Sequence, residues 1–513
     1  MCCALQRKPK EGSVTKHSRM AEALTASLQK TVAEPLTTDS FDIHGALTAM
    51  LSEIGISPRD GGGAITFSGL DPIMPSTVRL GGSAALALVQ QSIVAAALHC
   101  LRGGGGQDIS INLAQAIRRL APATERKWEL VNGFPVAMGD ASIQVCLRFY
   151  RTADGREVLP ANVYSHLKSR MIQLLDCSDS VEAIGRAFSR ATADEWEAEF
   201  EKAGLVLCKV RTLEEFMAEP VYEYLAHRPL IEIEKIADGP PQPLPPAGLM
   251  PLSGVRALGM GHVIAGAGCG RSLASLGADV LNVWRPAESE QDPMYVSSNV
   301  GMRSCIVDPR SERGRERLLA LAADADIFFA NRRPGLLQAL GLDAETLARA
   351  RPGIVHVTMS THGREGPWAN RPGFDQVAGA VTGMLTYEGT PKQAALPPTV
   401  IVNDYLVGWL AATGAMAALH RRATEGGSYR VHVSLTRAAL WLLSLGRFDK
   451  EYAKSIAAKD GDHALIRPRL FEADTPLGRY QGVGETVDMS LTPRGFATVL
   501  VPRGSCQPAW LPR

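Results

Sequence analysis

Residues 255–359 constrain this chain more than any other stretch, because short β-branched runs alternate there with helical ones. The pattern reads as a strand at 255–258, a glycine-rich turn at 265–270, a helix at 271–277 and a strand at 278–284. A helix at 311–323, a strand at 326–330, helices at 336–340 and 343–350 and a strand at 353–359 continue it. Parallel strands need crossover connections, and helices of this spacing supply them. The expected fold class is therefore α/β, a doubly wound parallel (Rossmann-like) sheet with a second, smaller α/β domain.

With 513 residues the chain has room for several domains. Residues 1–42 are polar with little periodicity and read as a disordered extension. Residues 126–235 have the texture of a small α/β domain, with a hairpin turn at 150–156, an acidic helix at 193–203 and a capped helix opening at Thr212. A proline-rich linker at 236–248 separates it from a large domain at 249–450, and 451–513 form a C-terminal tail. Charge is balanced, 54 Lys and Arg against 53 Asp and Glu, which speaks against nucleic-acid partners and a polybasic membrane patch. No apolar run approaching a membrane span is evident, so no membrane partner is expected. Nine scattered cysteines without a C-x-x-C pair argue against zinc and for a reducing, cytoplasmic setting.

One segment occurs twice. SIVAAALHCLRGGGGQDISINLAQA at 92–116 aligns with TGAMAALHRRATEGGSYRVHVSLTRA at 413–438, placing His99 on His420. Internal repeats outrank local signals in organising a chain, so 43–125 reads as a degenerate copy of the later region, packed with the large domain. The repeat makes Gly103–Gly106 an ordinary turn rather than a phosphate cradle. In the later copy, IVNDYLVGWLAATGAMAALHRR carries one acid, Asp404, at the mouth of an apolar helix rich in small residues. A carboxylate there is either a helix cap or a nucleophile at the positive end of a helix dipole. Ser83 stands at the matching position, so a cap is available in both copies and a carboxylate in only one.

The glycines before the second strand, Gly266-Ala-Gly268-Cys-Gly270-Arg271, put an arginine in the third glycine slot of a dinucleotide fingerprint. The strand ends in Arg285, where an NAD site has an acid and a phosphorylated ribose would find a cation. The run 251–286, together with Met302–Pro309, Ala330-Asn-Arg-Arg-Pro-Gly335, Arg351-Pro-Gly353, Gly363–Trp368, Pro372-Gly-Phe-Asp375 and Asn403–Gly408, resembles the class III (CaiB/BaiF-type) coenzyme A transferases in order and spacing. The segments before the linker resemble later parts of the same family, so the chain looks like a member with rearranged domain order.

The resemblance implies a CoA-transferase that moves coenzyme A between an acyl-CoA and a carboxylic acid. Asp404 would be the nucleophile, ionised at neutral pH by its ordinary carboxylate acidity. It would pass through an acyl-aspartyl mixed anhydride and an aspartyl-CoA thioester, with oxyanion donors from N–H groups at its own helix start or in the 265–270 turn. His262, Val263, Ile264, Arg285, Arg303, Asn331 and Arg332 would hold CoA, which is a substrate; no permanent cofactor is implied. The family's interlocked dimers imply a homodimer, although the duplicated helix could imitate part of that contact within one chain. Phe374 occupies the position of the histidine that related racemases use, which favours transfer, and His362 is the nearby histidine that could compensate. Three alternatives stay open: an acyl-CoA racemase or epimerase, a non-catalytic CoA-binding protein, and an NADP reductase.

Overall fold

The computed structural model describes residues 11–137 and 141–512. Helix α1 (Glu11–Ala33) leads, followed by strand β1 (Gly62–Ser68), helix α2 (Leu80–Leu101) and strand β2 (Gln107–Asn112). Beyond the small domain come β3 (Glu232–Ala237), β4 (Arg256–Met260), α3 (Ala265–Ser275), β5 (Asp279–Trp284) and β6 (Arg303–Ile306). Then follow β7 (Ile327–Ala330), β8 (Val355–Ser360), α4 (Asp375–Val381), α5 (Asn403–Glu425), β9 (Ser428–Ser434), α6 (Leu435–Ser444) and β10 (Val487–Met489).

The large sheet runs β6-β5-β4-β7-β8-β9-β3, with six parallel strands and β3 antiparallel at the edge. This is the expected doubly wound α/β architecture. The chain winds outward from β4 to β6, then returns to the other side of β4 at β7. Between β4 and β7 the connections leave in opposite directions and open a crevice at the strands' C-terminal ends. The expected turn at 265–270 is instead the first half of α3, and the turn lies at 261–264. Its glycines serve close approach: a Cβ on Gly270 would sit 2.3 Å from Met302 Sδ, and one on Gly408 of α5 would sit 3.1 Å from Ala265 O.

The repeat is also realised in three dimensions. β1 pairs with β2 in parallel as β8 does with β9, and β10 adds an antiparallel third strand to the smaller sheet. Helix α2 packs on α5, with Gln91 Nε2 donating to Trp409 O at 3.3 Å. Leu80 to Leu98 are all buried, so α2 is apolar on every side because protein surrounds it. At 22 residues it is nevertheless long and apolar enough to span a membrane, which corrects the expectation that no such run exists.

Two further expectations change. Residues 11–33 of the supposed disordered extension are helical; residues 1–10 lie outside the described part. Ala21, Leu24 and Leu28 recur at helical spacing and are buried, and Thr31 Oγ1 donates to Leu443 O at 2.8 Å. A narrow apolar stripe on a polar helix escaped the reading of composition. The small domain also ends earlier than 235, since β3 already belongs to the large sheet, and the tail is no appendage: Tyr480–Gln481 pair with Leu130–Val131 and β10 with β2.

Candidate active site

A cleft of about 520 Å³ opens at the crevice between β4 and β7, within the size range of small-molecule sites. The small domain closes one wall with Tyr164, Leu167 and Val206, and the large domain supplies His262, Val263, Arg285, Asn331, Arg332, Phe374 and Asp404.

The turn after β4 is latched to the turn after β7. Asn331 Oδ1 accepts the His262 N–H at 3.0 Å, and Asn331 Nδ2 donates to His262 O at 2.8 Å. Val263 stands in the left-handed region at φ 54°, an unusual place for a β-branched residue, of the kind that costs ~1–3 kcal/mol and persists where surroundings impose it. Glu290 Oε2 accepts its N–H at 2.7 Å, and Ser298 Oγ donates to its carbonyl at 2.8 Å. Glu290 also accepts from Tyr164 Oη at 3.0 Å, so one carboxylate joins the small domain to the strained turn. Burial, helped by the charge of Arg332, drives the His262 imidazole down to about 3. Its ring forms part of the cleft wall.

Burial opposes the charge on Glu288, yet Arg332 and Arg285 hold its carboxyl down to about 2. Arg285 reaches it through Nε and Nη2 at 3.3 and 3.0 Å, Arg332 pairs with it through Nη1, and Arg332 Nε donates to Met260 O at 2.8 Å. Two of the three arginines expected to hold CoA, Arg285 and Arg332, thus reach the cleft already oriented by one acid. Ile264 and Arg303 do not line it. Ile264 is buried at the start of α3. Arg303 begins β6 at the opposite end of the sheet, with Nε and Nη2 on the Asp279 carboxylate at 2.9 and 3.0 Å and Nη1 on Ala509 O. Its position on the third strand from the crevice, at the far end of the sheet, and its existing partner remove it from the CoA contacts expected for it.

Asp404 lies in the first turn of α5, 7 % exposed, with its side chain forming no capping bond. The cap comes from α4: Asp375 Oδ2 accepts the N–H groups of Val402 at 3.1 Å and Asp404 at 2.8 Å. The first copy is built alike. Asp71 accepts the N–H groups of Gly81 and Gly82 at 3.1 and 2.6 Å, while Ser83 Oγ donates to Leu80 O. Ser83 is therefore no cap, contrary to expectation, and neither is Asp404. Burial first, and then the adjacent Asp375, raise the Asp404 carboxyl well above its ordinary range, so the expectation of an ordinary acidity is also corrected. Nothing in the sequence pattern assigns Glu288, Glu290 or Tyr164 to a site, and Asp375 enters only as the last residue of Pro372-Gly-Phe-Asp375. The acids after β5 could have been found by asking what balances Arg285 and Arg332.

His362, the histidine that could replace a base at Phe374, is buried outside the cleft with Nδ1 2.9 Å from Thr436 Oγ1 and its ring against Trp368. Burial, and then Arg371, lower it to about 3.

A Rossmann-like sheet with a cleft at its switch point and an acid on the helix beneath is the frame, and the family assignment fits it. The family model described as CoA-transferase family III matches residues 62–235 and 252–473, and the chain belongs to that family. It is similar to the cinnamoyl-CoA:phenyllactate CoA-transferase of Clostridium sporogenes, 30% identical over 237 residues that make up 42% of this chain and 54% of that protein. It is also similar to the acetyl-coenzyme A transferase nodX of Hypoxylon pulicicidum, 33% identical over 207 residues, 39% of this chain and 35% of that one. The succinyl-CoA:glutarate CoA-transferase of Homo sapiens is 29% identical over 208 residues, 38% and 48% of the two chains. Among solved structures, a CaiB/BaiF family protein from Brucella suis shares 28% identity over 37% of this chain and 55% of that one, at a TM-score of 0.35. The chain thus spans roughly half or less of the length of these curated relatives.

Proposed function

We propose that the protein transfers coenzyme A from an acyl-CoA to a carboxylic acid, with Asp404 as nucleophile. The observation that carries this reading is a carboxylate relieved of structural duty: α5 is capped by Asp375, and Asp404 is left facing the cleft. Its Oδ attacks the thioester carbonyl, the C–S bond breaks, and CoA leaves as the thiolate while the acyl group forms a mixed anhydride with Asp404. The thiolate then attacks the aspartyl carbonyl, releasing the donor acid and leaving an aspartyl-CoA thioester. The acceptor carboxylate attacks that thioester carbonyl, breaking its C–S bond and forming a second mixed anhydride; the released thiolate attacks the acceptor's acyl carbonyl, giving the new acyl-CoA and freeing the Asp404 carboxylate. Each exchange conserves charge, so no general base is needed once Asp404 is ionised.

The N–H groups of Val402 and Asp404 are occupied by Asp375, which leaves the first turn of α3 as the source of oxyanion donors. Ala265 lines the cleft there. His262, Val263, Asn331, Arg332 and Arg285 frame the CoA end, with the two arginines meeting its phosphates. Racemisation is disfavoured because Phe374 carries no proton and His362 is turned away from the cleft.

Intact mass spectrometry after mixing the protein with a panel of acyl-CoAs tests this. A hydroxylamine-sensitive adduct on the peptide containing Asp404, absent in Asp404→Ala, is expected. An Asp404→Ala protein with full transferase activity would sink the assignment.

A further inference from the structure

We propose that Asp375 is the positioning residue of the nucleophile: its buried carboxylate grips the backbone on both sides of Asn403 and presents Asp404 to the cleft beside a second negative charge. The inference rests on the reading of Asp404 as nucleophile and deepens it.

The grip is geometric. One oxygen of Asp375 accepts N–H groups from Val402 and Asp404, and Asn403 Nδ2 approaches the Asp375 carbonyl at 3.4 Å. Asp375 is 2 % exposed, and the chain entering α5 through Val400 is itself left-handed at φ 67°. Three consecutive residues are therefore held from α4.

The first copy is an internal control. Asp71 holds the start of α2 through the same kind of bonds, with Ser83 where Asp404 would be. A borrowed carboxylate cap is thus common to both helices, and capping alone requires no acid beside it. Only in the second copy does a residue held by the cap carry a carboxylate of its own.

The consequence is chemical. A like charge makes Asp404 a stronger base, hence a better nucleophile when ionised, and delays its ionisation to higher pH. Other titratable or charged groups that line the cleft are Tyr164, His166, His262, Arg285, Glu288, Arg332, Arg333 and Arg371. Asp375 stands closest in the geometry, with its Oδ2 on the Asp404 N–H at 2.8 Å, and after burial its charge is what raises the Asp404 carboxyl.

The test compares Asp375→Asn, Asp375→Ala and Asp71→Asn in the full chain. Asparagine keeps an acceptor oxygen and removes the charge, so the acid limb of acyl-enzyme formation should move to lower pH, with the high-pH plateau reduced and acyl-CoA KM unchanged. Alanine should lose at least about tenfold in plateau rate because the helix start is released. Asp71→Asn should lower thermal stability and leave the pH profile where it is. Isotope-edited infrared titration of the Asp404 carboxyl, identified by its loss in Asp404→Asn, reads the same shift without turnover. If that titration is unchanged in Asp375→Asn, or if Asp71→Asn moves the profile equally, the proposal is overturned. A wild-type protein that forms no adduct but whose Asp404 band still moves in Asp375→Asn refutes the transfer reading and leaves the positioning role standing.

Discussion

Two glycines in the first turns of α3 predict opposite outcomes for the same substitution. A Cβ on Gly266 would lie 2.3 Å from Asn331 Oδ1, 2.5 Å from its Cγ and 2.8 Å from Gly261 Cα. On Gly268 the nearest atom is Gly408 Cα at 3.9 Å, ordinary van der Waals contact. Gly268→Ala should therefore collect the helix-propensity gain, stabilising by up to ~1 kcal/mol. Gly266→Ala must expel the Asn331 carboxamide, which makes two hydrogen bonds to His262. Those bonds are worth ~1 kcal/mol each net, and overpacking adds ~1–3 kcal/mol, so a loss of about 2–4 kcal/mol remains after the propensity gain.

Urea unfolding measures the stability difference, and calorimetry with CoA measures whether the latched turn matters for binding. The expected result is about tenfold weaker CoA binding for Gly266→Ala and none for Gly268→Ala. Asn331→Ala should reproduce the binding loss, and combining it with Gly266→Ala should add little, because both remove one latch. Equal effects of the two glycine substitutions on stability and binding would refute the close-approach reasoning and return these glycines to the role of a flexible turn.

The large sheet was legible because strand and helix periods survive in sequence, and β-branched runs between helices leave few topologies. Its glycines were misread as a turn because the same residue serves positive φ and close approach, and only the partner distinguishes them: Gly266 meets Asn331 and Gly270 meets Met302, both far along the chain. Helix α1 was missed for a related reason. Its polar majority dominates composition, while Ala21, Leu24 and Leu28 matter only once α6 and Tyr222 stand beside them. At the site, Asp404 stood out as the one acid of residues 401–422. Its acidity was not legible, since burial and the Asp375 charge come from chain folded around it. The arginines were half legible: cations near phosphate-binding turns are a recognisable pattern, but Arg303 is held by Asp279 away from the cleft while Arg285 reaches the cleft beside Glu288, and which of these happens depends on the end of the strand each residue occupies.

Arg303→Gln should leave CoA affinity within about twofold while lowering unfolding stability by ~1–3 kcal/mol, because a hydrogen-bonded, partly buried pair is broken far from the cleft; a large affinity loss at unchanged stability would restore Arg303 to the site. Asp404→Asn should abolish the adduct and stabilise the fold, increasingly so as pH rises. The folded protein raises the Asp404 carboxyl, by burial first and Asp375 second. A carboxyl raised on folding contributes stability that is full below its unfolded value, near pH ~4, and is lost as pH climbs through the folded value. Wild type therefore loses stability over that window and the amide does not, so the melting temperatures should diverge from acid to alkaline conditions. Calorimetry across that range decides it: a gap that is constant, or that closes as pH rises, would mean that Asp404 pays no folding cost for its charge.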